Sequence, residues 1–203
     1  ATQNEAWIIE DDYDGEFHYT RKVLPSLKSL DSHDRVIFMG SFSKTIMPSL
    51  RMGYIVMPVS TVDAFTDCAD IVASGQPVLT QKILTAFLSE GHFFRHLKKM
   101  RTLYQTRRDW MIAALQEVYG DLFFTEQNDG GMHIVAFLTR GSGDREVARC
   151  WQEQQLQVNA LSEWYRGSGK RYGLVMGYNN VRSYEEAVAL LQRPKRETLA
   201  LLS

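Results

Sequence analysis

The stretch from Val36 to Tyr54, reading VIFMGSFSKTIMPSLRMGY, constrains the fold of this chain more than any other. Val36 to Met39 is an apolar run that predicts a short buried strand, and Tyr54 to Met57 predicts a second. The segment between them is polar, and Pro48 bars a helix from continuing past Lys44. Ser41 and Ser43 offer hydroxyls, Lys44 an amine and Arg51 a guanidinium, a set that can hold an anionic group beside a nucleophile. A lysine between buried strands loses its proton more easily than an exposed one, and Schiff-base chemistry needs the neutral amine. Most lysines beside a turn are merely solvated. The hydroxyls and the arginine around this one are the company that a phosphate-bearing cofactor requires.

Ahead of that stretch, Trp7-Ile8-Ile9 reads as a strand that ends in the acidic, aromatic-containing turn Glu10 to Phe17. In an open α/β sheet, ligands bind outside the carboxyl ends of the strands. If the two strands are neighbours, Asp11 to Tyr13 and Ser41 to Lys44 face one crevice. The simpler alternative is a solvated turn whose Asp side chains cap local backbone, although so many adjacent acids repel one another.

The rest of the chain alternates periodic segments with breaks. Leu24 to Leu30 reads as a turn and short helix. A helix from Ser60 or Thr61 to Ala73 is expected to turn Val62, Phe65, Ala69 and Val72 to one face, and another over Leu79 to Ser89 to bury Ile83 and Phe87. Phe93 to Tyr119 is the longest periodic segment, with Phe94, Leu97, Leu103, Tyr104, Met111, Leu115 and Val118 at near-helical intervals. Its other positions carry Arg95, Lys98, Lys99, Arg101, Arg107 and Arg108, which read as a solvated face. Leu122 to Phe124 and His133 to Leu138 are strand-like, with Asn128-Asp-Gly-Gly131 as the turn between them. Asp144 to Leu156 is a helix carrying Val147, Cys150 and Trp151 inward, Val158 a short edge strand, and Leu174 to Tyr178 a further strand. Ser183 and Glu186 form a capping box opening a helix, and Leu199 to Leu202 is apolar enough to pack. Residues 93–203 thus read as a connecting helix and a small C-terminal α/β domain, distinct from residues 1–92.

Charge bounds the function. With 23 Lys and Arg against 24 Asp and Glu, the chain gives no electrostatic reason to expect nucleic-acid binding by itself. Cys68 and Cys150 stand alone without metal-ligand spacing, so neither a disulfide framework nor a metal is expected and a reducing compartment is the default. No stretch is apolar enough to span a membrane, and a cytoplasmic location follows as an expectation. The opening Ala1-Thr-Gln-Asn-Glu-Ala6 passes at once into a strand that should be buried, which reads as a fragment of something longer.

Three motifs carry a resemblance: Ile8-Ile-Glu-Asp-Asp-Tyr-Asp-Gly-Glu-Phe17; Gly40-Ser-Phe-Ser-Lys-Thr45 with Pro48 and Leu50-Arg-Met-Gly-Tyr54; and Gly91-His-Phe-Phe-Arg-His-Leu-Lys-Lys-Met-Arg-Thr-Leu-Tyr104. Together they resemble the aminotransferase-like domain of fold type I pyridoxal phosphate proteins, in the MocR-type branch of the GntR transcriptional regulators. The first two are shared broadly with aminotransferases, and the third looks like the regulator branch. The resemblance implies a partial fold type I large domain over residues 1–92, with the small α/β domain following.

Carried over residue by residue, the resemblance makes Lys44 the internal-aldimine lysine and Asp11 the partner of the pyridine nitrogen, whose positive charge a carboxylate stabilises. Tyr13 would donate to the ring's phenolic oxygen, and Ser41, Ser43 and Arg51 would hold the phosphate. Arg171 matches the arginine that takes a substrate or effector carboxylate by bidentate pairing, with Lys170 and Arg166 close enough to leave the register open. Family features that precede this stretch are missing from it: the winged helix-turn-helix, the linker and the first half of the large domain with its glycine-rich phosphate turn. The fragment is therefore expected to hold pyridoxal 5'-phosphate poorly or not at all.

Two functions follow from the same residues. One is a regulator's sensing domain, in which an amino compound displaces Lys44 from the cofactor and the signal passes to DNA through the missing N-terminal domain, with no turnover required. The other is a working aminotransferase, in which Lys44 also shuttles a proton. A relic that contributes only a dimer surface is a third reading. The resemblance implies a homodimer in each case.

Overall fold

Patterned apolar runs become two separate units in the computed structural model, which describes residues 1–19, 24–73, 75, 77–126 and 130–202. Unit 1 is Ala1–Lys99 and unit 2 is Met100–Ser203, so the boundary falls inside a single long helix.

In unit 1, β1 (Ile8–Asp12), β2 (Val36–Ser41) and β3 (Gly53–Val56) form a three-stranded sheet in that order. β1 and β2 are parallel, with Asp11 opposite Met39 and Asp12 opposite Gly40. β2 and β3 are antiparallel, with Ser41 opposite Gly53. Between β1 and β2 lies α1 (Leu27–Leu30), capped by Ser26, whose side chain accepts from Ser29 N–H. The Glu10 carboxylate also accepts from the Leu27 and Lys28 N–H groups at 2.8 and 2.9 Å, tying α1 to β1. α2 (Phe42–Thr45) follows β2, and α3 (Val62–Ala73) and α4 (Val78–Ser89) follow β3.

Burial in unit 1 departs from the sequence pattern. The expected buried strand at Val36 is found, with Val36 and Ile37 4% and 7% exposed, but the strand at Tyr54 is open along its length. β3 is an edge strand, and its alternation has no second layer within the unit to face. α3 buries none of its residues, so Val62, Phe65 and Val72 lie on an uncovered face. In α4 the buried residue is Leu84, whereas Ile83 is exposed and Phe87 half-buried. Periodicity fixes which side chains share a face, but only a neighbouring element decides whether that face is covered.

α5 (His92–Tyr119) realises the long periodic segment. Leu97, Met111, Leu115 and Val118 are buried as expected, while Phe94 is exposed. Unit 2 holds β4 (Phe123–Thr125), β5 (His133–Leu138), β6 (Val158–Ala160) and β7 (Gly173–Gly177) in the order β4-β5-β7-β6, every pair antiparallel. β6 is the edge strand anticipated at Val158. The turn anticipated at Asn128 and Asp129 lies outside the described residues. α6 (Asp144–Glu153) ends earlier than Leu156, because the Leu156 N–H turns back to the Trp151 carbonyl. α7 (Tyr184–Gln192) opens with the Ser183 side chain accepting from Glu186 N–H, as the capping box predicts, and α8 (Lys195–Leu202) closes the chain.

The core of unit 2 is aromatic. Trp151 is 1% exposed and stacks on Tyr119 at 5.6 Å, with Phe123 edge-on to both. Each buried polar tip is satisfied: Trp151 Nε1 donates to Thr198 Oγ1 and Tyr119 Oη to the Leu191 carbonyl, both at 2.9 Å. Burial pushes the Tyr119 phenol above its ordinary range, so it remains a donor. Thr198 Oγ1 in turn donates to the Pro194 carbonyl at 2.7 Å, so the Trp151 bond that fastens α6 to α8 ends on a hydroxyl held in place.

Gly173 is required by close approach within the ladder. A Cβ there would overlap the Ala136 carbonyl and lie 2.8 Å from Phe137 Cα, both of them backbone. Gly173→Ala is therefore expected to destabilise the protein by about 1–3 kcal/mol, the usual range for overpacking. A urea midpoint equal to that of the wild type would show that β5 and β7 can spread without strain.

Candidate functional site

The parallel pairing of β1 with β2 brings the two chemical motifs together. Both strands end at the same edge of the unit 1 sheet, where the antiparallel β3 begins. Side chains alternate between faces along a strand, so Asp11, its neighbour Met39 and Ser41 two residues on share one face. Asp12, Gly40 and Tyr54 form the adjacent row on the other face. Tyr54 lies across Gly40, where a Cβ would come within 2.6 Å of Tyr54 Cε1, and packs on Phe42 at 5.3 Å. This explains a glycine in the middle of an apolar run. Burial, then the Glu16 and Asp12 carboxylates, hold the Tyr54 hydroxyl above the usual phenol range.

Chain geometry explains how the turn after β2 is built. Ser41 caps α2, its Oγ accepting from Ser43 N–H at 3.1 Å, and Ile46 N–H closes the helical turn onto the Phe42 carbonyl at 2.9 Å. Phe42 N–H donates to the Met52 carbonyl, which holds the two ends of the loop together at 2.9 Å. Arg51 is left-handed, with φ 49° and ψ 38°. For an L residue with a side chain this conformation costs roughly 1–2 kcal/mol, so the surrounding turn must impose it.

Lys44 is exposed, in the last turn of α2. The expectation of a lysine shielded between buried strands is therefore corrected: β3 offers no cover, and the amine stands in the open. Among the described residues, Lys44, Arg51 and the Asp11 carboxylate make no hydrogen bond or ion pair. Tyr13 lies just beyond β1 and is 44% exposed. The Asp14 carboxylate first, then partial burial and the Asp11 carboxylate, hold its hydroxyl above the ordinary phenol range, so it stays protonated and able to donate. Asp12 has a structural task, its Oδ1 accepting from Gly15 N–H at 2.8 Å, the local capping weighed for this acidic run.

Arg171 belongs to unit 2, just ahead of β7. Its guanidinium pairs with both oxygens of Glu126, at 2.6 and 3.2 Å, and lies over the Phe137 ring at 3.6 Å. The hydrogen bond from Arg171 holds the Glu126 carboxyl below the usual range, and the same contact raises Arg171. The fork expected to grip an incoming carboxylate thus already grips an internal one.

Two contacts were not legible in the sequence. His96 Nε2 lies 2.9 Å from the Thr45 carbonyl, and Phe93 packs edge-on to Phe42 at 5.9 Å, so one turn of α5 rests against the Lys44 turn. Both residues belong to the Gly91 to Tyr104 motif, whose residue types name neither partner. In unit 2, Asp144 is fully buried and accepts from Ser162 N–H, Ser162 Oγ–H and Gly173 N–H. Its position at a helix start was the visible signal, but not its three partners. Among the described residues no group of His, Cys, Asp and Glu is placed to hold a metal.

The fold is that of the fold type I aminotransferases. Kynurenine aminotransferase of Pyrococcus horikoshii superposes with a TM-score of 0.83 at 22% identity, over 98% of this chain and 50% of that one. LysN, an α-aminoadipate aminotransferase of Thermus thermophilus, superposes with a TM-score of 0.82 at 24% identity, over 98% and 52%. At such identities the likeness establishes the fold alone. The chain belongs to the aminotransferase class I and II family, whose model matches residues 1–167.

Within that family its sequence is similar to transcriptional regulators of the MocR type. It is 36% identical over 179 residues to the probable rhizopine catabolism regulatory protein MocR of Rhizobium meliloti, covering 88% of this chain and 36% of that protein. The pyridoxine biosynthesis transcriptional regulator PdxR of Corynebacterium glutamicum is 33% identical over 184 residues, 89% of this chain and 39% of that protein. The chain therefore spans well under half the length of these relatives.

Proposed function

We propose that this chain is the effector-sensing, pyridoxal-phosphate-binding part of a transcriptional regulator, whose DNA-binding module lies outside these 203 residues. One observation carries the reading: the parallel strands β1 and β2 end at one edge of the sheet, one at the acidic run of Asp11 and the other at the turn of Lys44, with Arg51 in the loop that returns to β3, in a chain similar to regulators. The donor set suits the cofactor's three functional ends. Lys44 supplies the amine for its aldehyde carbon, Asp11 a carboxylate for its ring nitrogen, and Tyr13 a protonated hydroxyl for its ring oxygen. Ser41, Ser43 and Arg51 supply hydroxyls and a cation for its phosphate; Ser41 accepts from Ser43 N–H and keeps its own hydrogen to donate. When bound, the group supplies an electron sink that the protein lacks.

In this reading residues 1–92 belong to the cofactor-binding domain and 93–203 to a connecting helix and small domain. The protein works in the cytoplasm as a homodimer. The uncovered apolar face of α3, with Ile71 and Val72 83% and 78% exposed, calls for cover from outside these 203 residues. Among the described residues no helix is long and apolar enough to cross a membrane.

The test uses the full-length protein loaded with pyridoxal 5'-phosphate, its operator DNA and a panel of amino acids. The regulator reading expects an amino compound to change both cofactor absorbance and DNA mobility with no consumption of a simple 2-oxo acid. Sustained transamination would instead establish the enzyme, which the family match favours as the second reading. Within that experiment, Arg171→Ala is expected to weaken the effector response about tenfold while the cofactor stays bound, since a bidentate charged pair is lost. Glu126→Gln should strengthen it, because the competing charge on the guanidinium is gone. Loss of cofactor from Arg171→Ala would show that this arginine has another role.

A further inference from the structure

The turn that carries Lys44 is too short to hold itself. α2 has four residues, and the first turn of an isolated helix is unfavourable in water. Its direction must therefore be set by what packs against it, and the two flanks of Lys44 are held from the same side. Phe42, two residues before the lysine, is wedged between Tyr54 at 5.3 Å and Phe93 at 5.9 Å. Thr45, the residue after it, is 1% exposed, and its carbonyl receives His96 Nε2 at 2.9 Å.

We infer that His96 is the positioning residue of the lysine turn: by donating from Nε2 to the Thr45 carbonyl, it locks the direction in which the free Lys44 amine projects. The inference rests on the cofactor reading of Lys44 for its purpose, although not for its geometry. A carbonyl oxygen only accepts, so Nε2 must carry a hydrogen. The carbonyl is among the last of a helical turn, with no partner further along the helix. Because Thr45 is dry, removing the donor leaves a buried acceptor that water does not reach, and the turn must move to satisfy it. Phe87 lies edge-on to the imidazole at 6.4 Å and flanks the donor. The role needs a donor at that reach and no charge, so glutamine can replace histidine and leucine cannot.

The test compares full-length wild type, His96→Leu and His96→Gln by two readouts. The first uses no cofactor: amide exchange of Ile46, whose N–H closes the turn, against the β2 amides of Val36 and Ile37. In His96→Leu the Ile46 amide is expected to exchange about tenfold faster with β2 unchanged, the size of one lost buried hydrogen bond, and His96→Gln to recover most of that protection. The second is the rate at which borohydride traps pyridoxal 5'-phosphate on Lys44, expected to fall about tenfold in His96→Leu and to return in His96→Gln. Wild-type exchange at Ile46 in His96→Leu would overturn the inference. So would a uniform rise across unit 1, which marks a general packing role, or a glutamine variant that behaves like leucine. A wild type that is never trapped at Lys44 sinks the cofactor reading instead, and the exchange data then decide the role of His96 alone.

Discussion

Lys44→Ala, in the full-length protein mixed with pyridoxal 5'-phosphate, is expected to abolish the visible absorbance of a lysine-bound cofactor. Covalent attachment joins the amine nitrogen to the aldehyde carbon with loss of water, and alanine has no nitrogen to offer. Lys44→Arg makes the test sharper. It keeps a cation on the turn, so the electrostatic attraction for phosphate remains, but the guanidinium stays protonated and does not condense. Both variants should therefore lose the absorbance completely, and only Lys44→Ala should also lose part of the attraction for the phosphate. Undiminished absorbance in Lys44→Ala would place the reactive amine elsewhere and dissolve the assignment of the whole sheet edge.

The largest stability effect falls far from that amine in sequence. Asp144→Ala is expected to destabilise the protein by about 3 kcal/mol or more, since each of three donors left without an acceptor in the interior costs about 1–3 kcal/mol. The carboxylate is fully buried and joins three separate pieces of unit 2: the start of α6, the segment at Ser162 and the first residue of β7. Alanine would leave Ser162 N–H, Ser162 Oγ–H and Gly173 N–H without their acceptor. Against a total of about 5–15 kcal/mol for a typical domain, such a loss removes a large share of the stability. The urea midpoint measures it. Asp144→Asn retains one acceptor oxygen and should fall between the two. A midpoint for Asp144→Ala within about 1 kcal/mol of wild type would mean that water or neighbouring groups replace the carboxylate, contrary to its burial.

How far each feature could be read in advance depended on the range of the interaction behind it. The strand at Val36, the long α5, the edge strand at Val158 and the Ser183 cap were legible because each is written in residues a few positions apart. The exposure of β3, α3 and Ile83 was not, since an apolar stripe states a preference for cover and names no element to provide it. Among the site candidates, Asp11 and Ser41 share a face because β1 and β2 pair in parallel register, and the sequence could state this only as a condition. Arg171 was visible as an arginine before a late strand. Its occupation by Glu126, 45 residues earlier, was invisible. His96 was hidden for a related reason, its partner being a backbone carbonyl 51 residues away, and backbone atoms leave no mark in a sequence.

The sequence by itself determined the local chemistry: a lysine set in a hydroxyl-rich turn with an arginine, an acidic strand end, and the periodicities of the helices and strands. Only the tertiary structure decided which of these groups share an edge, which are already engaged and which stand open. The reason is physical. Hydrogen-bond geometry and side-chain period act over a few residues, whereas strand register, the stacking of Trp151 on Tyr119 and the grip of His96 on Thr45 exist only once distant segments have met.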